Sequence, residues 1–339
     1  MKIVIAPDSY KESLSALDVA TAIESGFREI FPTAEYVKEI GKGKLLAVVG
    51  ASWQHNTSNG FSLTATNYST EALLNTLSGA GLVTVNYNNI VEYKYNAIFG
   101  RVNYDWQGKY FVNATFRRDG SSRFGPNNRF GNFGALGAAW VFSQEDFAKS
   151  ISALSFGKLR GSYGTNGNDQ ISNYLYLPLY STSTTYLSNP SLVPTTLPNA
   201  DIQWETTKKF EAALELGFLK DRILFTAEYY NNRSGNQIAY LRLPTQSGYN
   251  AIQANLPALI ENSGWEFEVN TTNISRGDWK WTTTFNITLP QNKLLKFDGL
   301  ENTFSSSSYI IGQPINFTRV LHYLGVDPKT GAAQYEDIN

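Results

Sequence analysis

The sequence predicts a mainly β chain, a transmembrane-type antiparallel sheet of roughly ten to twelve strands, with a small amino-terminal β-α appendage. Three observations predict it. Beyond Lys44, apolar and polar residues alternate with period two over long runs. Tyrosine and tryptophan collect at the ends of those runs, in a chain holding 20 Tyr, 20 Phe and 7 Trp but one Met. Between Lys38 and Lys44 the pattern changes abruptly from strand and helix to long strands, which no single compact domain is expected to do.

The first segment is α/β in type. Lys2-Ile3-Val4-Ile5-Ala6 is a short apolar run closed by Pro7-Asp8, the form of a buried parallel strand. Leu17, Ala20, Ile23, Phe27, Ile30 and Phe31 recur at three- and four-residue steps and share one helix face. Ser15 and Asp18 resemble a capping pair, and Pro32 stops the helix. These are the opening parts of a βαβ unit, and no second parallel strand follows.

The strands come next. Leu45, Ala47, Val49, Ala51 and Trp53 share a face within Lys44–Gln54. Tyr110, Val112, Ala114 and Phe116 oppose Asn113, Thr115 and Arg117. Leu159, Gly161 and Tyr163 alternate with Lys158, Arg160 and Ser162. Trp204, Phe210, Ala212, Leu214, Leu216 and Phe218 oppose Glu205, Lys209, Glu211 and Glu215. Ile223, Phe225, Ala227 and Tyr229 continue after the turn Lys220-Asp221. Trp265, Phe267 and Val269 oppose Glu266 and Glu268. Trp279, Trp281, Phe285, Ile287 and Leu289 oppose Lys280, Thr282, Thr284 and Asn286. This register puts Leu214, Leu216, Phe225, Ala227, Phe285 and Ile287 toward lipid, and Glu211, Glu215, Glu266 and Thr284 toward lumen or solvent.

Alternation also fits a soluble sandwich with its apolar face inward. Three details favour a membrane. Several runs exceed the usual soluble strand length. Their ends carry Trp or Tyr at Tyr104-Asp-Trp106, Trp204, Tyr229-Tyr230 and Trp279, as interfacial girdles do. Tight connections, such as Gln107-Gly108 and Lys220-Asp221, alternate with long ones such as Asn166–Asp201.

Composition removes other classes. A net charge of −1 gives no electrostatic case for nucleic acid. With no cysteine there are no disulfides or thiolate metal sites. His55 and His322 lack ligand-like spacing, so no metal or cofactor is expected. No apolar run is long enough for a membrane-spanning helix, and no basic-then-apolar leader opens the chain.

Two resemblances follow from motifs. Met1-Lys-Ile-Val-Ile-Ala-Pro-Asp-Ser-Tyr-Lys-Glu-Ser-Leu-Ser-Ala16, with Ala22-Ile23-Glu24 and Gly26-Phe27-Arg28, resembles the amino terminus of bacterial glycerate kinases over residues 1–38. The likeness implies that Asp8, Ser9 and Lys11 match a loop near that family's active site. One strand and one helix supply no nucleotide cradle, so this remnant loop is expected to be inactive. Residues 39–43 form the junction.

Residues 44–339 resemble SusC/RagA-like TonB-linked outer-membrane proteins. Phe99-Gly-Arg-Val-Asn-Tyr104, Arg117-Arg-Asp-Gly-Ser-Ser-Arg-Phe-Gly125, Lys158-Leu-Arg-Gly-Ser-Tyr-Gly164, Trp204-Glu-Thr-Thr207, Ile260-Glu-Asn-Ser-Gly264 and Val326-Asp-Pro-Lys-Thr-Gly331 follow in that family's order. The resemblance implies an outer-membrane location among lipid, and import of large nutrients, typically glycans or peptides. It also implies partnership with TonB and a SusD-like surface lipoprotein. Plug and TonB-box motifs are not found, and plugged transporters use about 22 strands. The barrel is therefore expected to be incomplete, a curved open sheet that does not transport alone. The alternatives are a glycerate kinase, on the amino terminus only, and a soluble β-rich binding module.

Candidate site residues are few. Arg117, Arg118, Asp119 and Arg123 form the densest charge cluster, either a ligand or lipopolysaccharide contact at a rim or an internally paired wall. Tyr174, Tyr176, Tyr180 and Tyr186 lie in a Tyr/Ser-rich stretch that could stack on sugar rings or form a mobile outer loop. Glu211, Glu215, Glu266 and Glu268 alternate along strands and so line a wet wall rather than pair for glycosidic catalysis. No catalytic residue is expected.

Overall fold

The computed structural model describes residues 34–187, 189–303, 306, 308–318, 320 and 322–336, without the side chains of 183–186 and 190. Asp8, Ser9, Lys11 and the helix over 17–31 lie outside the described residues.

Ten antiparallel strands form one open sheet. In chain order they are β1 (Ala34–Ile40), β2 (Gly43–Tyr68), β3 (Ala80–Trp106), β4 (Tyr110–Ser121), β5 (Phe130–Trp140), β6 (Leu154–Asn168), β9 (Glu205–Phe218), β10 (Ile223–Arg242), β11 (Ala251–Arg276) and β12 (Trp279–Phe297). Each pairs with its predecessor, β9 beside β6, which among the described residues leaves β1 and β12 as the two edges. Two hairpins stand apart: β7 (Leu179–Tyr186) with β8 (Asn189–Thr196), and β13 (Tyr323–Val326) with β14 (Ala333–Tyr335). The expected open, antiparallel, barrel-type sheet is what the chain forms.

Connections divide the sheet into a turn end and a loop end. At the turn end, Gln107 and Gly108 both take positive φ (57° and 65°), the hairpin geometry that suits twisted strands. The turn between β9 and β10 holds three left-handed residues in a row, Leu219, Lys220 and Asp221. Ser155 supports it, donating to Asp221 Oδ1 at 2.6 Å and accepting the Asp221 N–H at 2.9 Å. At the loop end the longest connection runs from Asp169 to Trp204 and contains the β7–β8 hairpin. Ala34–Lys38, grouped by resemblance with the amino-terminal segment, and the junction residues 39–43 form β1 and its turn. Here Ala34, Tyr36 and Lys38 pair with Val49, Ala47 and Leu45.

The register separates two faces. Trp106, Tyr110, Trp140 and Leu159 lie in one cross-strand row, as do Val102, Ala114, Leu136, Tyr163 and Phe210. The same face carries Leu214, Leu216, Phe225, Ala227, Phe285 and Ile287, and none of Glu211, Glu215, Glu266 or Thr284. The two expected sets are unmixed. The apolar face is largely exposed: Ile98 is 62%, Leu136 64% and Phe285 59% accessible. A continuous exposed apolar surface of this extent marks a membrane or protein contact. The opposite face carries the cavities and the folded loops, and is the inner one.

Two girdle residues differ from expectation. Trp204 is 6% exposed and packs inward, because it precedes β9 and sits under the loop connection rather than on the outer belt. Tyr230 takes the inner face, since alternation allows only one of Tyr229-Tyr230 outside.

At the turn end, Trp106, Tyr110 and Trp140 stack in series, with centroids 5.5 and 6.4 Å apart. Glu145, in the connection between β5 and β6, fixes them. It accepts from Lys109 Nζ at 2.9 Å, Tyr110 Oη at 2.8 Å and Trp140 Nε1 at 3.4 Å. The Lys109 bond, then the Tyr110 bond, holds the Glu145 carboxyl below its ordinary value. A depressed carboxylate adds stability above its unfolded value of 4.5 and loses it as pH falls through the lower folded value. Thermal unfolding in detergent should therefore show a stability loss as pH falls below the unfolded value of 4.5, and Glu145→Gln should reduce that loss. An unchanged pH profile in the variant would exclude this anchor.

Candidate ligand site at the loop end

The site grows from the point where β4 ends and β3 continues. Beyond Ser121 the edge of β3 loses its neighbour, and its freed backbone groups take other partners. Ser122 Oγ accepts the Lys94 N–H at 2.9 Å. Tyr174 Oη accepts the Glu92 N–H at 2.7 Å and donates to the Glu92 carbonyl at 3.3 Å. One phenol thus replaces a missing strand, from a residue held at φ 67°.

Below it lies an aromatic core. Phe124, Phe133, Ile171, Ile202 and Trp204 are buried together, with Tyr95 and Tyr176 packed against them. Trp204 meets Phe124 at 5.0 Å and Phe133 at 5.5 Å, and its Nε1 donates to the Arg129 carbonyl. A Cβ at Gly131 or Gly167 would overlap the Phe133 ring, so both glycines make room for it. This cluster clamps residues 122–129 and the connection to β9 onto the inner face.

The predicted charge cluster splits by strand parity. Arg117 and Asp119 face inward, where Arg117 Nε donates to Asp119 and its guanidinium lies over Tyr95 and Phe99. Asp119 is 5% exposed, so this is an internal pair. Arg118 faces outward, over Phe130 at 5.0 Å and bonded to Asn132. Arg123 joins neither. It lies 4.3 Å from the Tyr93 ring centroid and donates to the Asp169 carbonyl and Asn173 Oδ1, tying the two long connections together.

The tyrosines split as well. Tyr174 and Tyr176 line a cavity of about 720 Å³ with Tyr95, Ser121, Ser122 and Arg129. Tyr180 projects from β7 and is 57% exposed, away from that cavity. Tyr186 ends β7, and its side chain is outside the description. Sequence reasoning missed Arg129, whose buried Nε makes no hydrogen bond among the described residues. Its only signal was a position just before the glycine-rich strand β5, which is too weak to single it out.

Further down the inner face runs a charge ladder. Glu215 accepts from Lys158 at 3.3 Å and from Arg160 at 2.8 Å, and Arg160 also reaches Glu228. Each member is roughly a quarter to a third exposed, so each pair contributes about 1 kcal/mol or less. Glu215 is thereby engaged structurally, as its alternation implied.

Comparison with known proteins agrees with this geometry. Over 265 residues the chain is 31% identical to TonB-dependent receptor P39 of Formosa agariphila, covering 75% of this chain and 25% of that protein. Over 279 residues it is 31% identical to TonB-dependent receptor SusC of Bacteroides thetaiotaomicron, covering 78% and 27%. The chain spans about a quarter of the length of these relatives. The RagAB peptide transporter structure superposes with a TM-score of 0.80 at 25% identity, over 90% of this chain and 34% of that one. A separate match of 56 residues is 62% identical to glycerate 2-kinase of Escherichia coli, covering 15% of each chain. The family described as TonB dependent receptor-like, beta-barrel matches residues 17–334, and with its ten-stranded, apolar-walled sheet the chain belongs to that family.

Proposed function

We propose that residues 44–339 form part of the wall of an outer-membrane importer for large nutrients, glycans or peptides, with the loop-end cavity as a ligand contact. The observation that carries it is the strand register, which puts an apolar belt on one face and paired charges on the other. Tyr174 and Tyr176 present aromatic faces for sugar rings or side chains, and the unmatched Arg129 Nε suits an acceptor oxygen. Arg117, Asp119 and Arg123 shape the site rather than contact the ligand. A surface lipoprotein would meet the loop end, and TonB the opposite side.

Among the described residues no strand lies beyond β1 or β12, and such edges cannot seal in lipid, so these ten strands by themselves make no transporting barrel. Nor is it an enzyme on this reading: Lys158 and Arg160 hold Glu215 and Glu228, and Glu211, Glu266 and Glu268 are spaced along strands as wall residues. Residues 1–38 carry the glycerate-kinase-like sequence, of which Ala34–Lys38 pair into β1 of the wall, and Asp8, Ser9 and Lys11 perform no phosphoryl transfer.

The chain has no cysteine, so single cysteines report each face of β4 without background. In bilayers a lipid-soluble probe should label Val112→Cys and Ala114→Cys, and a charged maleimide Asn113→Cys and Thr115→Cys. Equal labelling of all four by the charged reagent would return the chain to the soluble binding module.

A further inference from the structure

We propose that Arg118, Lys208, Arg233 and Lys293 form an outward-facing basic strip that binds the phosphorylated headgroups of an anionic glycolipid in the outer leaflet. The inference rests on the membrane-wall reading and goes beyond it, because nothing in a generic wall requires these cations.

Strand pairing places them together. Lys208 lies opposite Arg233, Arg233 opposite Glu261, and Glu261 opposite Lys293, on four successive strands. At strand spacings near 4.8 Å the three cations span about 14 Å. Their parity is that of Phe210, Tyr229 and Trp265, the outer face. Those three rings pack in a row, with centroids 6.5 and 5.2 Å apart. The cations therefore follow the aromatic row on the loop side. Arg118 lies on the same outer face as Ile98 and Phe116, on β4, with β5 and β6 between it and Lys208 on β9.

Height supports the assignment. Lys208 and Arg233 each lie ten residues along the strand from the turn-end residues Phe218 and Ile223. Ten residues at about 3.3 Å, tilted about 45°, rise about 23 Å, close to the ~25 Å apolar band of a barrel. Both charges therefore fall where acyl chains give way to headgroups. All four side chains are exposed. The one carboxylate among them, Glu261, accepts from Arg233 Nε at 2.8 Å. It holds the guanidinium in place and leaves the strip with an excess of positive charge. Arg118 and Lys208 have no carboxylate partner among the described residues. Arginine and lysine at a bilayer surface attract anionic lipid, and paired guanidinium and ammonium groups suit phosphate.

The test uses the full chain in neutral detergent, mixed with a diphosphorylated glycolipid, its dephosphorylated form or inorganic phosphate. Retained lipid is read by native mass spectrometry, and tryptophan quenching by brominated acyl chains is read in parallel. Wild type should retain the diphosphorylated lipid preferentially, and salt should weaken that preference. The R118Q/K208Q/R233Q/K293Q variant should lose on the order of several hundredfold, a factor near five for each of the four cations removed. Lys209→Gln, one residue from Lys208 but on the inner face, should change nothing, and R118K/R233K should keep the preference. Equal retention of both glycolipids, with quenching intact, overturns the strip and leaves the wall standing. Absence of quenching overturns the wall itself. Binding of inorganic phosphate with no glycolipid preference overturns the lipid assignment.

Discussion

Leu136→Arg should destabilise the chain in bilayers by about 2–4 kcal/mol, the cost of a cation at the middle of a barrel's lipid face. Leu136 lies near the middle of the outer face of β5, four residues from Trp140 at one end and six from Phe130 at the other. It is 64% exposed. In a soluble protein an exposed leucine replaced by arginine costs little, because the charge stays hydrated. The two environments thus give opposite answers to one substitution. The control is Thr115→Arg, whose side chain takes the inner face beside Arg117 and faces a cavity. It should cost less than about 1 kcal/mol. Folding titrations in lipid vesicles, with urea as denaturant, measure both. Equal, small effects at the two positions would remove lipid from the outer face.

Trp204→Ala should cost about 3–5 kcal/mol, the usual loss for a large buried aromatic. Three losses combine at this position: contact with Phe124 and Phe133, a hydrogen bond to the Arg129 carbonyl, and a cavity that the strands cannot collapse. The effect should be local in its consequences. The connection from Asp169 to Trp204 should become protease-sensitive first, and Tyr174 should release the edge of β3. The turn end, held independently by Glu145, should keep its aromatic stack. Limited proteolysis with mass mapping distinguishes the two. Cleavage that begins at the turn end would contradict the assigned role of the cluster. Trp204→Phe, which keeps most of the ring volume, should recover most of the loss but not the indole hydrogen bond.

Both substitutions touch residues whose legibility differed. Leu136 sits in Phe-Gly-Asn-Phe-Gly-Ala-Leu-Gly-Ala-Ala-Trp, where glycine blurs the alternation, so β5 was not resolved from sequence. Trp204 was legible as an aromatic strand end but was assigned to the wrong face. Period two fixes faces only inside a strand, and Trp204 stands one residue before β9 begins.

The sequence by itself determined the two faces of β4, β6, β9, β10, β11 and β12, the tight turns and the family. Each of these depends on local alternation against lipid or water, or on ordered motifs. It also determined that the inner glutamates belong to a wall, because their spacing is that of a strand. It did not determine how far β2 and β3 extend. Alternation was read only over Lys44–Gln54, whereas β2 runs to Tyr68 and pairs with β3 throughout. Past Trp53 the two-sided contrast fades into Asn, Ser and Thr, since a strand beyond the lipid has water on both faces. Tertiary structure alone decided the rest. Residues distant in sequence, Tyr93 with Asp169 and Tyr174 with Glu92, meet only because the long connections fold back onto the inner face. The candidate site is made of such contacts, and a basic strip built from one cation on each of several strands exists only once their register is set. A one-residue slip would have turned Lys208 inward and left no strip at all.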